Sequence, residues 1–333
     1  MGGQLNTILY LARFACPHRD YSSSPGYIPE HARYHAELRQ ELGQIAEVIP
    51  SDNLDDLSRL GNRADYVVAV YNDAGFVGAE SYVAAFAERL GIAYMGARPA
   101  VRGVAEDKHL GKLIASRTGL RTPNWTILDS SEPEGRLSLN NVEPPYFIKP
   151  RYGRNSEGID YDSLQRTAEG AELKSRKLAR QGHDLIIEHY VHGIYCTVPV
   201  WTNRGEIVVL PPVIEKTSSN LPIVLFDQKA HAAPGLTRKV ADGRHILDLC
   251  QHQIEDLYRL LMPLDYARFD FIYDPSLNRM WFLELNICCS LSKRSTFFQS
   301  ASTLGYSYPE FISTIIKESA ARQHLELRQA PRP

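Results

Sequence analysis

Cysteine is scarce in this chain: five in 333 residues (Cys16, Cys196, Cys250, Cys288 and Cys289), an odd number with no Cys-x-x-Cys pair. That argues against a disulfide framework or a zinc site, and makes a reduced cytoplasm the default compartment. Long apolar runs are missing and no basic stretch opens the chain, so neither a signal peptide nor a transmembrane helix is expected. Repeats and low-complexity tracts are absent as well. Neither sign of charge dominates: 37 Lys and Arg face 39 Asp and Glu, a net −2, which excludes a global field that would recruit nucleic acid or an acidic membrane. What is present is 44% hydrophobic residues, enough for a sizeable core in two or three domains.

Residues 268–295 carry the densest chemistry. Two aromatic and aliphatic runs flank Pro-Ser-Leu-Asn, which reads as a β-hairpin. With 275–279 as the loop, Asp274 pairs with Met280, Asp270 with Glu284 and Arg268 with Asn286. Period-two alternation then puts Arg268, Asp270, Glu284 and Asn286 on one face, and Phe269, Phe271, Leu283 and Leu285 on a core face. Directly opposite residues hold their Cβ atoms about 4.5–5.5 Å apart. Two carboxylates that close stay ionised together only around a cation. Oxygen-only ligands suit Mg²⁺, which completes its octahedron with water and substrate phosphates. A nucleotide is the implied companion; an ordinary amphipathic hairpin with a solvated polar face is the competing reading.

Earlier in the chain, β-branched or aromatic runs at 7–12, 45–49, 66–71 and 92–95 alternate with helical patterns at 29–42 and 79–90. Such alternation implies an open parallel sheet with its ligand crevice beyond the carboxyl ends of the strands, where segments 13–26 and 72–78 follow; either segment could equally be a plain surface loop. Pro99 breaks the pattern, and a boundary is expected near 103. Lys108 opens a helix that reads as well as a solvated face as a phosphate site. Lys149 sits inside the apolar strand 146–150, where it loses hydration unless it meets an anion. The Gly/Ser/Asn segment 151–159 after it can fold backbone N–H groups over phosphates. It lacks the Gly-Lys-Ser/Thr of a Walker loop, and a generic hairpin turn competes. Strands are expected at 184–191, 195–201 and 206–213, and a helix over 245–262 with Ile246, Leu247, Cys250, Ile254, Leu257 and Leu261 as its core stripe. The tail beyond Ala320 is expected to fray.

The order of these parts is itself informative: Asp107-Lys108, then Phe147-Ile148-Lys149-Pro150 with its Gly/Ser loop, then Ile186-Ile187-Glu188 with Gly193. Phe226-Asp227-Gln228-Lys229, Arg268-Phe269-Asp270, Glu284-Leu285-Asn286 and Ser295 follow. From about residue 70 to 316 the chain resembles the ATP-grasp superfamily, most closely the D-alanine:D-alanine ligases. The resemblance implies a mixed α/β and α+β architecture: an ATP-grasp fold preceded by an N-terminal open parallel-sheet domain, divided as 1–103, 104–193 and 194–333. It implies that Lys108, Lys149 and Lys229 contact ATP phosphates and that Gly153, Asn155, Ser156 and Gly158 belong to a flexible lid. Glu188 would accept from the adenine amino group, with the backbone of His189, Tyr190 and Val191 as hinge and Tyr195 at the ribose position. Asp270, Glu284 and Asn286 would hold two Mg²⁺ ions, with Mn²⁺ able to substitute, and Arg268 would stabilise the transition state. Ser290 would offer its N–H to an oxyanion, and Ser295 stands where the family binds the acceptor's carboxylate, with Lys293 and Arg294 beside it.

The departures from the family gather at the substrates. Cys288-Cys289-Ser290 replaces a Pro-Gly, Tyr195 replaces a ribose-binding Glu, and the early Gly-Gly-x-Ser-x-Glu motif gives way to segment 13–26. The expectation is therefore an ATP-dependent carboxylate–amine ligase for amino acids or amino-acid-like molecules, in a specialised pathway and with substrates other than two D-alanines. A divergent D-alanine:D-alanine ligase and a non-catalytic ATP-binding regulator are the alternatives. The expected partners are small molecules, with no nucleic acid and no membrane, and the family's habit of dimerising makes a homodimer compatible.

Overall fold

The computed structural model describes residues 3–24, 27–70, 78–135, 137–153, 158–217, 236–241 and 245–327. Asn155, Ser156 and Lys229 lie outside the described residues.

The N-terminal part alternates strands and helices: β1 (Gly3–Leu5), β2 (Thr7–Leu11), α1 (Pro29–Gly43), β3 (Glu47–Ser51), α2 (Asp56–Leu60), β4 (Tyr66–Ala69), α3 (Ala79–Leu90) and β5 (Ala93–Tyr94). Strands β3-β2-β4-β5 form a parallel sheet in that order. β2 is buried on both faces, Ile8 and Tyr10 entering one core cluster and Leu9 and Leu11 another, so it reads as a continuous apolar run. α1 starts on a proline in its first turn, and α3 ends on Gly91 at φ +69°, a left-handed cap that glycine adopts without strain.

Pro99 begins a helix rather than ending one. α4 (Pro99–Glu106) leads to α5 (Lys108–Arg117), capped by the Asp107 carboxylate, which accepts from the N–H groups of His109 and Leu110. An antiparallel sheet of order β6-β9-β7-β8 follows, built from β6 (Trp125–Leu128), β7 (Tyr146–Pro150), β8 (Leu164–Gln165) and β9 (Leu185–His189), with α6 (Ala168–Ala179) packed on it.

The third sheet is antiparallel with order β13-β12-β10-β14-β15 and β11 attached to β10. Its strands are β10 (Ile194–Asn203), β11 (Glu206–Val209), β12 (Val213–Thr217), β13 (Leu236–Val240), β14 (Tyr266–Asp274) and β15 (Arg279–Asn286). The single strand expected at 206–213 is thus two, separated around Pro211 and Pro212, neither of which can donate to a ladder. The helix expected over 245–262 is also two, His245–Asp248 and Gln251–Leu261, because Cys250 leaves helical geometry at φ −153°. The apolar stripe is buried nonetheless, Cys250 included.

Helix Thr296–Ser302 precedes helix Tyr308–Arg322, whose start carries a reciprocal cap between Ser307 and Glu310. As far as Leu327 the tail pairs rather than frays: β16 (Leu325–Leu327) runs parallel to β1, Gly3 opposite Leu325, and the rest of the tail lies outside the described residues. Helix Tyr308–Arg322 shares a core with the N-terminal sheet through Phe311, Ile312, Ile315 and Ile316. Among the described residues no helix is long and apolar enough to cross a membrane.

Candidate active site

The hairpin β14–β15 delivers the expected register by an unexpected route. Asp274 pairs with Arg279, so the turn is one residue shorter than the sequence suggests. A bulge between Asp270 and Phe271 then takes up Leu283, and Asp270 faces Glu284 and Arg268 faces Asn286 after all. The two deviations cancel. Leu283, expected in the core, is only half-buried, and Phe282 fills that face with Phe269 and Phe271 instead.

On the polar face, Arg268 donates to Asp270 twice, Nε to Oδ1 and Nη2 to Oδ2, each at 2.8 Å. Asp270 also accepts from Tyr195 Oη at 2.7 Å and from Asn286 Nδ2 at 2.9 Å. Tyr195 thus directs its hydroxyl to the neighbouring carboxylate of Asp270. Burial pushes the Asp270 carboxyl up, with Arg268 opposing and Glu284 adding to the rise. Burial also works against the Arg268 charge, but Asp270 outweighs it and holds the guanidinium well above its ordinary value. With Nδ2 engaged, Asn286 has its Oδ1 left to offer beside Glu284. Thr197, opposite Asp270 on β10, buries an Oγ1 that has no partner among the described residues. Among the described residues no three His, Cys, Asp or Glu side chains gather to hold a metal by themselves. Two carboxylates, an amide oxygen and an orphaned hydroxyl suit a hard cation completed by phosphate oxygens and water, not a closed protein cage.

A lysine cluster stands beside this face. Lys149 Nζ bonds Glu188 Oε1 at 2.6 Å, and Lys112 Nζ lies 2.9 Å from Glu188 Oε2, an ion pair that leaves Oε2 a lone pair for another donor. All three are buried. Burial alone would raise the Glu188 carboxyl, but Lys112 and Lys149 hold it down to about 2. Lys108 donates to Gly153 O at 2.8 Å and lies 3.9 Å from Glu284 Oε2, so it links the root of the 151–159 segment to the hairpin. Gly158 sits at φ +68°, where a Cβ would also press on the Pro150 ring. After β9, His189 N donates to Asn124 O and Tyr190 N to Pro145 O. Lys112 was not among the expected site residues; the fold buries it with Gly111 and Ala115 on the inward side of α5.

Beyond the hairpin, Ser295 caps helix Thr296–Ser302 by accepting from Phe298 N at 3.1 Å, which leaves its O–H to donate. Lys293 lies over the Tyr308 ring at 5.0 Å. The Arg294 carbonyl accepts from Arg238 and Gln299 while its side chain is exposed. Neither cation meets Ser295 in these contacts. Ser290 is exposed and is not at positive φ, so its position demands no glycine. Two further residues reach this loop: Arg102, buried, donates to Cys288 Sγ, and Tyr34 Oη accepts from Leu291 N.

A carboxylate hairpin in the C-terminal sheet, joined through Lys108 and α5 to a lysine cluster on the central sheet, marks an ATP-grasp ligase, and solved structures share the fold. The D-alanine–D-alanine ligase of Bacillus anthracis complexed with ATP superposes with a TM-score of 0.74 at 19% identity, covering 96% of this chain and 98% of that one. The VanG D-Ala:D-Ser ligase of Enterococcus faecalis gives 0.67 at 16% identity, over 95% and 100%. A family model described as D-ala D-ala ligase C-terminus matches residues 114–317, well over half of the chain, and the chain belongs to that family. It is an ATP-dependent carboxylate–amine ligase. Among curated relatives, a D-alanine–D-alanine ligase of Maridesulfovibrio salexigens is 26% identical over 83% of this chain and 88% of its own length. The uncharacterized protein y4sG of Sinorhizobium fredii is 29% identical over 71% and 69%.

Proposed function

We propose that this ligase phosphorylates the carboxylate of an amino acid or amino-acid-like donor and joins it to the amine of a second such molecule, in a specialised biosynthetic pathway. The observation that carries the reading is the pairing of the Arg268, Asp270, Glu284 and Asn286 face with the buried Lys149, Glu188 and Lys112 cluster. Lys108 and Lys149, with Lys229, orient the triphosphate, and Glu188 with the Val191 N–H meets the base. Asp270, Glu284 and Asn286 would hold two Mg²⁺ ions, exchangeable for Mn²⁺, which supply charge neutralisation on the phosphoryl groups. The donor carboxylate oxygen takes the γ-phosphoryl group and ADP leaves. The acceptor amine then attacks the acyl carbon, and the carbon–oxygen bond to phosphate breaks as the amine sheds its proton. Arg268 and the Ser290 N–H face the oxyanion that forms in between. The segment holding Gly153, Asn155, Ser156 and Gly158 keeps water from the acyl phosphate, and Ser295, with Lys293 and Arg294 nearby, receives the acceptor's carboxylate. The reading includes a cytoplasmic setting, a homodimeric assembly and the division into 1–103, 104–193 and 194–333.

A second reading, a divergent D-alanine:D-alanine ligase, draws support from the names of the relatives. Against it stand Cys288-Cys289-Ser290 over a buried arginine and Tyr195 beside Asp270. Phosphate release from ATP with Mg²⁺, across pairs of D- and L-amino acids and with mass spectrometry of products, decides between them. Release that requires two partners, yields a condensed product and disappears in Glu284→Gln is the expected result. Efficient condensation of D-alanine with itself selects the second reading instead. Silence across the panel with ATP still bound counts against the second reading and favours an unusual pathway metabolite or a non-catalytic ATP-binding protein.

A further inference from the structure

The loop after the metal hairpin, residues 287–291, alternates between buried and accessible: Ile287, Cys289 and Leu291 are buried, Cys288 is half-buried and Ser290 is exposed. It is pinned on both sides of Ser290 by elements from the first third of the chain. On one side Arg102 donates to Cys288 Sγ at 3.2 Å. That arginine is buried and fixed by the carbonyls of Ala97 and Met95, each at 2.7 Å. On the other side the Leu291 N–H donates to Tyr34 Oη at 3.2 Å, a contact between residues 257 apart in sequence. Tyr34 is itself well held. Its ring packs on His35, centroids 4.7 Å apart, and His35 Nδ1 is bonded to Tyr10 Oη at 2.8 Å in the core. One turn further along α1, Arg39 donates to the Ala15 carbonyl at 2.5 Å, tying the helix to the segment that leaves β2. The Ser290 N–H, with no acceptor among the described residues, stands between the two pins.

An N–H group stabilises a developing oxyanion only if its direction is fixed before the charge appears. We infer that Tyr34 is a positioning residue for acyl transfer: by holding the Leu291 N–H it sets the turn that aims the Ser290 N–H at the tetrahedral intermediate. The inference rests on the ligase reading above, and it makes α1 part of the catalytic apparatus although α1 need not touch ATP.

Tyr34→Phe in the 333-residue chain removes only the oxygen and keeps the ring on His35. The expected result is a fall in kcat of about tenfold, an unchanged KM for ATP and a thermal midpoint within a few degrees of wild type. A phosphinate analogue of the condensed product, whose tetrahedral centre bears anionic oxygen, should bind the variant weaker by a similar factor, while ATP binding by calorimetry stays the same. Unchanged kcat and unchanged analogue affinity overturn the inference. So does a loss shared equally by ATP binding and thermal stability, which would mark Tyr34 as a plain structural contact. If wild type itself condenses nothing, the ligase reading fails and takes this inference with it; the two failures are told apart by which protein is silent.

Discussion

Glu188 illustrates how much one buried residue carries. Its carboxylate is the only anion contacting both Lys149 and Lys112 among the described residues, and all three side chains are out of water. Removing the anion leaves two buried ammonium groups uncompensated, so Glu188→Gln should cost roughly 3 kcal/mol in a urea titration. The pH dependence has a definite sign. A carboxyl held at about 2, below its unfolded value of 4.5, contributes stability that is present above pH 4.5 and disappears as pH falls through 2. Over that window wild type should lose about 3 kcal/mol from this group, and Glu188→Gln should show a correspondingly flatter acid limb. Lys149 was legible in the sequence because it interrupts an apolar strand. Lys112 was not, because a lysine four residues after another on a helix has the pattern of a solvated face. Only the fold turns that face inward onto β9. Tyr195 was readable as a hydrogen-bonding residue, but its partner Asp270 lies 75 positions away and no local pattern selects it.

At the level of elements, the hairpin was the most legible part of the chain, since period-two alternation is a local property of each strand. Its turn length and its bulge were not, because no residue in 275–283 has a strong enough preference to distinguish a five-residue loop from a four-residue loop with a bulge. The same limit explains the missed break at Cys250, whose apolar stripe continues unbroken on either side. Between the central and C-terminal sheets, the chain turns at Gly193, where a Cβ would lie 2.4 Å from the Tyr273 carbonyl oxygen and 2.5 Å from Ile272 Cγ2. Gly193→Ala therefore has to push β10 away from β14. The expected outcome is a loss of about 1–3 kcal/mol in thermal or chemical unfolding, together with a higher KM for ATP, since the hinge is displaced with it. An alanine variant with wild-type stability and KM would show that the two strands can part without consequence.

At the scale of the whole molecule, distant segments close on one another. Arg322, near the end of the last helix, bonds Asp265 at 2.8 Å and the Gly96 carbonyl at 3.1 Å, while Gly96 N donates to the same aspartate at 2.6 Å. Asp265 is buried, so Arg322→Ala should lower stability by roughly 3 kcal/mol. In a double-mutant cycle with Asp265→Asn, the two losses should fall well short of additive. The sequence made the alternating N-terminal sheet and the order of the site motifs readable, because both are written in short stretches. It hid Tyr34, Arg102 and the pairing of β16 with β1, because each depends on contacts across most of the chain. Tyr66 on β4 bonds Ser319, the Tyr94 N–H is held by Gln323, and helix Tyr308–Arg322 fills the core against Ile8 and Tyr10. During synthesis, then, the sheet that leaves the ribosome first is the one that completes its interior last. At roughly 5–20 residues per second, its apolar face waits on the order of 10–45 s for the helix that covers it.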